Sequence, residues 1–212
     1  MNILPNYLGE QPVVPVENEF TGVMGNDLNS EEVSVPVQSE KVLIATQALH
    51  IASGWIGMHS TDGTDSDDGG EIDKIESLFG MHAQPWCAMF VCYCYAKAIM
   101  LLNKLETLEE GMSYLDHFIP SSASCETLMD EAKAKGLWMP VSQAAPGDMV
   151  LYCWNGSGNA EHVGLFSKHI DEYTIESVEG NTVVNAEADS SDSHGVYIRN
   201  RSNHLVLGVI HL

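Results

Sequence analysis

The chain has 212 residues, and 44% of them are hydrophobic. Its 30 acidic residues against 9 lysines and arginines give a formal charge of −21. A chain of this length can bury a hydrophobic core without disulfide or metal support. Because so acidic a surface repels nucleic acid and anionic membranes, we expect neither as a partner.

The start of the chain, Met1 to Asn6, has no basic region followed by an apolar run, as a signal peptide would. No stretch approaches the ~20 uninterrupted apolar residues that span a bilayer. We therefore expect a protein made in the cytoplasm, which would need a carrier to act outside it. The cysteines, at 87, 92, 94, 125 and 153, are odd in number and form no CxxC pair. They indicate a reduced protein with buried thiols, one of which could be reactive.

Residues 1–38 are interpreted as an N-terminal arm, and residues 39–212 as one globular domain. Prolines at 5, 12, 15 and 36 and several acids interrupt any apolar period in the arm. Two interpretations stay open: a segment that is extended or disordered until it meets a partner, and a segment packed on the surface of its own domain.

The apolar periodicity predicts four helices, over residues 39–55, 71–79, 85–103 and 124–135. Ser39 and Ser124 are suitable caps for the first and the fourth. Pro85 suits the first turn of the third helix, because its missing N–H would be unpaired there anyway. Since the third helix is apolar on nearly every face, it is expected at the centre of the fold.

Short strands separated by Gly, Asn, Asp and Ser clusters are predicted after Pro146-Gly147. They cover residues 149–154, 162–167, 172–178, 196–200 and 205–211. Helices followed by a run of strands indicate an α+β fold, in which N-terminal helices pack on a C-terminal antiparallel sheet of about five strands.

Cys87 is the candidate nucleophile. It stands in the first turn of the predicted central helix, where unpaired N–H groups and the helix dipole favour a thiolate. Thiolates are the nucleophilic form of cysteine. Since a cysteine is more often an inert buried residue, we interpret Cys92, Cys94, Cys125 and Cys153 in that way.

A thiol hydrolase also needs a base and a group that orients the base. His162 begins a predicted strand after a glycine-rich loop, residues 155–159, that could leave the site open. Glu179 ends the next strand, and neighbouring antiparallel strands could bring it beside His162.

Four short motifs then occur in a fixed order. They are Trp-Cys-Ala-x-Phe-Val on a helix, Pro-Gly-Asp-x-Val, His-Val-Gly and Glu-Gly-Asn, concentrated at 85–91, 146–151, 162–166 and 179–182. In this order they resemble the CHAP family of papain-like cysteine peptidoglycan hydrolases, and in particular its phage-associated branch with a Trp-Cys motif. The resemblance extends from about residue 43 to residue 210.

The resemblance implies a papain-like fold, with Cys87 as nucleophile, His162 as base, Glu179 as orienting group and Asn181 as a supporting polar group. The family cleaves amide bonds of peptidoglycan, either as N-acetylmuramoyl-L-alanine amidases or as endopeptidases. The Cys87 backbone N–H is the expected oxyanion donor. Many relatives have Gln directly before the nucleophile, where this chain has Trp86. Gln84 is a candidate for a side-chain donor, or simply a helix cap.

The acidic loop before the second predicted helix resembles an EF-hand loop. Asp65, Asp67, Asp73 and Glu76 stand at its positions 1, 3, 9 and 12, with Gly70 at position 6. Calcium is therefore a possible structural ion, and a solvated acidic loop is the alternative. His59 and His82 fit no common zinc spacing, so zinc is not expected.

The leading hypothesis is a wall hydrolase of a phage lysin or virion tail, or an effector injected between bacteria, acting in the periplasm or cell wall after delivery. The acidic surface should repel an anionic wall. We therefore expect a virion, secretion-system or immunity protein to bind the arm or the acidic surface. Two alternatives are a non-catalytic virion or secretion component that keeps the fold for binding, and a thiol-dependent acyltransferase or deamidase.

Overall fold

The computed structural model describes residues 39–59, 70–183 and 194–212. In these ranges five α-helices precede a six-stranded antiparallel sheet, which confirms the α+β class. The predicted arm lies outside the described residues, so its conformation stays a prediction. None of the helices in the described ranges has both the length and the apolarity needed to cross a membrane.

The helices agree with the four predicted segments and add one more. They are α1 (Glu40–Ser53), α2 (Glu71–Ser77), α3 (Cys87–Leu102), α4 (Leu108–Leu115) and α5 (Cys125–Ala134). Ser39 and Ser124 cap α1 and α5 as predicted, each accepting a hydrogen bond from a backbone N–H of the first turn. The expected place of Pro85 is wrong, because Trp86 is the N-cap of α3 and Cys87 its first residue.

Helix α4 was not predicted, although its start carries a recognisable signal. Thr107 and Glu110 form a capping box, in which each side chain accepts a hydrogen bond from the other residue's backbone N–H. Gly111 weakens the helical pattern of the sequence. The structure requires this glycine, because a Cβ there would collide with the backbone of Ala96 on α3.

The strands are β1 (Trp138–Met139), β2 (Met149–Tyr152), β3 (His162–His169), β4 (Thr174–Thr182), β5 (Gly195–Ser202) and β6 (Val206–Ile210). Their order across the sheet is β1-β6-β2-β3-β4-β5. The expected five strands are all present, and the two-residue β1 adds a sixth that pairs with β6. Strands β3, β4 and β5 are neighbours in both sequence and space, and they carry the residues discussed below.

Helix α3 lies in the middle of the hydrophobic core, as its apolar sequence predicts. It packs against α1 and α4 and against β3 and β4 of the sheet. Gly180 on β4 allows the close approach, since a Cβ there would lie 2.6 Å from the ring of Phe90 and 2.7 Å from that of Trp86. The start of α3, and with it Cys87, is thereby held against the sheet.

The Pro-Gly-Asp segment has a structural role at the start of β2. The Gly147 carbonyl accepts a hydrogen bond from the Tyr95 hydroxyl of α3 at 2.7 Å. The buried Asp148 carboxylate accepts from the Ala145 N–H at 2.8 Å and contacts His211 Nδ1 at 3.0 Å. The Tyr95 bond ties the start of β2 to α3, and the Asp148 contacts fix the turn before β2 and the segment after β6, so the motif stabilises the scaffold.

Candidate active site

The structure brings together Cys87, His162 and Glu179, which stand on α3, β3 and β4. His162 Nε2 lies 3.0 Å from Glu179 Oε2. His162 also lies close enough to Cys87 to help lower the pKa of that thiol. All three residues are buried, with Glu179 completely inaccessible.

The Glu179 carboxylate is held by four hydrogen bonds. Arg201 of β5 donates to both oxygens, from Nε to Oε1 at 2.9 Å and from Nη2 to Oε2 at 2.6 Å. Ser177 Oγ donates to Oε1 at 2.7 Å and itself accepts from the Tyr152 hydroxyl at 2.8 Å. Such a fork of parallel bonds fixes a carboxylate in one orientation. Glu179 therefore presents Oε2 to His162 in a defined geometry.

These contacts keep the cluster ionised. Burial alone would raise the pKa of Glu179, but the hydrogen bonds and charges of Arg201 and His162 lower it to about 2. Burial likewise disfavours the imidazolium, yet Cys87 and then Glu179 raise the pKa of His162 to about 9. At neutral pH the base therefore carries a positive charge next to the thiol.

Cys125, which was predicted to be inert, is a direct neighbour of the nucleophile. Its sulfur lies 3.7 Å from the Cys87 sulfur. This hydrogen bond is the main cause that lowers the pKa of Cys87 well below its usual range, against the effect of burial, and His162 lowers it further. The same contact raises the pKa of Cys125 together with burial, so Cys125 stays a thiol and donates to the Cys87 thiolate.

The two sulfurs meet because two helices begin at the same point. Cys87 is the first residue of α3 and Cys125 the first residue of α5. The positive end of each helix dipole stabilises an anion there. Ser124, recognised in the sequence as a helix cap, already placed Cys125 in a first turn, and this signal could have identified it.

A buried carboxylate shapes the loop that leads to Cys87. Glu76 of α2 accepts hydrogen bonds from the N–H groups of Ala83 and Gln84 at 2.9 and 2.8 Å. Gln84 also donates from its side chain to the Ala83 carbonyl at 3.0 Å. Its amide is thus turned toward its own loop, away from the expected role of oxyanion donor. The Cys87 N–H, in the first turn of α3, remains the donor that the geometry favours.

Asn181 lies at a β-bulge of β4, with a left-handed φ of 54°. It lines the same pocket as His162, but the ring nitrogen is bound by Glu179. The buried Oδ1 of Asn181 accepts no hydrogen bond from the residues that the structure describes. No hydrogen bond thus joins Asn181 Oδ1 to the His162 ring, and the supporting role of Asn181 stays a prediction.

Aromatic side chains frame the imidazole. Trp154 stacks on Tyr152, with centroids 5.3 Å apart and planes 8° apart, and lies 5.7 Å from the His162 ring. The Arg201 guanidinium lies over the Trp154 ring at 4.8 Å. Sequence reasoning missed Arg201, Tyr152 and Trp154, since none of them stands in the motifs that carry the resemblance.

The predicted calcium ligands are only partly within the described residues. Asp65 and Asp67 lie outside them, whereas Asp73 and Glu76 lie on α2. Potential ligand atoms of Asp73, Glu76 and His82 all lie within 4.8 Å of one another. These three could contribute to a cation site, although Glu76 already accepts two backbone hydrogen bonds.

Comparisons of this chain with protein-family models, with curated proteins and with solved structures gave no match. The fold and the site by themselves define an α+β protein with a buried Cys–His–Glu cluster at the N-terminus of its central helix.

Proposed function

We propose that the protein is a cysteine-dependent peptidoglycan hydrolase with a papain-like CHAP fold. The observation that carries the proposal is the convergence of Cys87, His162 and Glu179, in which the imidazole hydrogen-bonds the carboxylate and lowers the pKa of the thiol. The motif order in the sequence supports the same assignment. A hydrogen-bonded nucleophile, base and orienting acid is the arrangement of amide hydrolases that act through a covalent intermediate.

In this mechanism the Cys87 thiolate attacks the carbonyl carbon of a peptidoglycan amide. The carbonyl electron pair moves to oxygen, which the Cys87 N–H stabilises. The His162 imidazolium gives its proton to the departing amine as the C–N bond breaks and a thioester forms. His162 then takes a proton from water, which attacks the thioester and releases a carboxylic acid and the thiolate.

Glu179 and Arg201 serve this reaction by positioning. Glu179 fixes the tautomer and the angle of the His162 ring and stabilises its positive charge. Arg201 in turn fixes both oxygens of Glu179, so that the carboxylate cannot rotate away. The overall acidity of the chain is unfavourable for an anionic wall, which supports delivery by a phage particle or by a secretion system that injects the protein.

Incubation of purified peptidoglycan with the wild-type protein, followed by mass spectrometry of the released fragments, tests the proposal. Fragments should appear, and their new termini identify the bond that is cut. Cys87→Ala should reduce the rate by at least about a thousandfold with the fold intact, whereas Cys92→Ala serves as a matched control. Full activity of Cys87→Ala would overturn the assignment. Deamidation or acyl transfer without fragment release would assign the cluster to another reaction.

A further inference from the structure

Two of the cysteines are neighbours in space although 38 positions separate them in the chain. The Cys87 and Cys125 sulfurs lie 3.7 Å apart, where helices α3 and α5 begin. Hydrolysis as proposed above uses the first sulfur as nucleophile and the second only as a hydrogen-bond donor. A serine hydroxyl would donate as well, so the second sulfur permits one further reaction, the formation of a disulfide.

The pair has the protonation states that a stepwise oxidation requires. The hydrogen bond from Cys125 is the main cause that lowers the pKa of Cys87 well below its usual range, so Cys87 is a thiolate, the form that peroxides oxidise. The same contact, together with burial, raises the pKa of Cys125, which keeps its proton for the second step. The two residues are 6% and 8% exposed, so the pair lies near enough to the surface for an oxidant as small as hydrogen peroxide.

The other three cysteines, all within the described residues, lack this combination. Burial raises the pKa of Cys92 to about 12 and that of Cys94 well above its usual range, so both stay protonated. Burial acts in the same direction on Cys153, but hydrogen bonds from the glycine-rich loop lower its pKa. Its sulfur contacts Asn155 at 3.5 Å and Ser157 at 3.6 Å, neither of which can form a disulfide. A thiolate and an adjacent thiol therefore occur together at one place in the part of the chain that the structure describes.

We propose that Cys125 is a resolving thiol that makes the oxidation of Cys87 by a peroxide reversible. In the first step the Cys87 thiolate attacks one peroxide oxygen, the O–O bond breaks, and a sulfenic acid and a hydroxide ion form. In the second step the Cys125 sulfur attacks the sulfenic sulfur, the S–O bond breaks, and the Cys125 proton leaves with the hydroxyl as water. The two sulfurs together lose two electrons, which the peroxide takes up.

The disulfide protects the nucleophile from permanent damage. A sulfenic acid that is not captured reacts with a second peroxide and becomes a sulfinic acid, which thiols do not reduce. The disulfide also blocks the Cys87 sulfur, but an external dithiol exchanges with it and releases both thiols. The inference goes beyond the proposed function, because it depends on the two sulfurs and not on which amide is cleaved.

The test follows the chemical fate of Cys87 in the full-length protein treated with hydrogen peroxide. Mass spectrometry of non-reduced peptides should identify the Cys87–Cys125 disulfide, and dithiothreitol should return at least about nine tenths of the Cys87 thiol, counted by labelling with iodoacetamide. In Cys125→Ser, dimedone should trap the Cys87 sulfenic acid. Without dimedone, and at the same consumed fraction of Cys87, the thiol that dithiothreitol returns should be at least roughly fivefold less than in the wild type, with sulfinic acid in its place.

Two further variants control this comparison. Cys125→Ala, which lacks the serine hydroxyl, should share the fate of Cys125→Ser, and Cys153→Ser, which removes the other thiol of lowered pKa, should behave as the wild-type protein. Circular dichroism and melting temperatures confirm that each variant is folded. Peptide masses and labelled thiols are read whether or not peptidoglycan is cleaved, so failure of the hydrolase leaves this test intact. Equal recovery of Cys87 in the wild type and both Cys125 variants would overturn the proposal. Sulfinic acid at Cys87 of the wild type without the disulfide, or a Cys87 that stays reduced, would overturn it as well.

Discussion

Cys87 and His162 owe their charges to neighbouring side chains, because both are almost inaccessible to water. The Cys125 thiol and the imidazolium stabilise the thiolate, while Glu179 stabilises the imidazolium. These shifts favour a thiolate–imidazolium ion pair before a substrate arrives. The lowered pKa of Cys87 sets the acidic limit of the pH range in which both groups are charged, and the raised pKa of His162 sets the alkaline limit.

The pH dependence of hydrolysis should show a broad plateau. The pKa of Cys87 is lowered, so the thiolate persists below the pH at which an ordinary thiol becomes protonated, and the pKa of His162 is raised to about 9. The rate should fall as the pH rises through about 9, because the neutral imidazole cannot protonate the departing amine. The measurement is the rate of fragment release from pH 5 to pH 10.5, with iodoacetamide alkylation of Cys87 followed in parallel.

Glu179→Gln is the matched variant for this profile. It removes the carboxylate that helps to raise the pKa of His162, so the alkaline limb should move to lower pH. An alkaline limb at the same pH in both proteins would show that His162 is not the group that titrates. If the alkylation rate of Cys87 rises only near the pH at which an ordinary thiol ionises, the thiolate–imidazolium ion pair would be excluded.

The contact between Cys87 and Cys125 predicts a disulfide under mild oxidation. Their sulfurs are 3.7 Å apart, and a thiolate beside a thiol is poised for oxidation. Diamide, which takes up the two hydrogens, should link them and remove at least about nine tenths of the activity, and dithiothreitol should restore it. Mass spectrometry of the peptides under non-reducing conditions identifies the pair.

Cys125→Ser keeps a hydrogen-bond donor at this place but cannot form the bond. This variant should remain active after diamide treatment, whereas Cys94→Ser should respond as the wild-type protein does. Inactivation of the Cys125→Ser protein by diamide to the wild-type extent would contradict the prediction.

Among the site residues, the sequence predicted those that stand in recognisable motifs. It missed those that only the packing of distant elements brings to the site. Cys87, His162 and Glu179 were named from helix position, strand position and motif order. Arg201 lies on an edge strand and Cys125 at the start of another helix, and only the packing of these elements brings them to the cluster. The distance between two residues along the chain does not indicate whether they make such a contact in the folded protein.

Among the elements, the contact between α3 and the sheet determines the distance from thiol to base. Gly180→Ala places a methyl group against Phe90 and Trp86 and should push the start of α3 away from β4. We expect a loss of about 1–3 kcal/mol in unfolding free energy, as for other overpacked sites. Hydrolysis and alkylation of Cys87 should fall as well. Thermal melts and iodoacetamide kinetics measure the two effects.

Gly208→Ala is the control variant, because it should strain the sheet by a steric collision without moving Cys87 relative to His162. Gly208 is also a strand glycine whose added Cβ would collide with a ring, that of Trp138, far along the sheet on β6. This variant should lose stability but keep the reactivity of Cys87. Equal losses of reactivity in both variants would mean that general destabilisation explains the effect of Gly180→Ala.

Helix α2 is the element through which calcium could act. The cluster of Asp73, Glu76 and His82 lies beside the loop that leads to Cys87. Calcium should raise the melting temperature, by a stabilisation of about 2.7 kcal/mol at a hundredfold excess over the dissociation constant. Magnesium should do less, since it demands a tighter octahedral shell.

Asp65→Ala and Asp73→Asn should both remove the calcium effect. Asp130→Asn, at an exposed position of α5, should leave it intact. If titration calorimetry detects no heat and calcium does not shift the melt, then the acidic segment is a solvated surface.

The elements that the sequence failed to predict have local reasons. Helix α4 contains Gly111, whose small size is required by the neighbouring α3, so a packing need conceals a helical signal. Strand β1 has only two residues and is defined by its pairing with β6. The long periodic segments, in contrast, were predicted to within a few residues of their ends.

For the whole molecule, the division at residue 39 predicts that the core folds without the arm. Deletion of residues 1–38 should shift the melting temperature by less than about 3 °C, which corresponds to under about 1 kcal/mol for a domain of this size. The reason is that the arm sequence has no periodic apolar face. A large fall in melting temperature, measured by calorimetry, would show instead that the arm packs on the domain.

The strand order has a consequence in time. Strands β3, β4 and β5 are consecutive in the chain and adjacent in the sheet, so we expect His162, Glu179 and Arg201 to come together before the sheet is complete. Strand β6 is the last in chain order, yet it must insert between β1 and β2. Such distant pairing is slow, and until it occurs the free edge of β2 can bind other chains. We therefore expect a newly made chain to pass through an interval in which His162, Glu179 and Arg201 already lie together on an incomplete sheet, and the insertion rate of β6 should set the length of that interval.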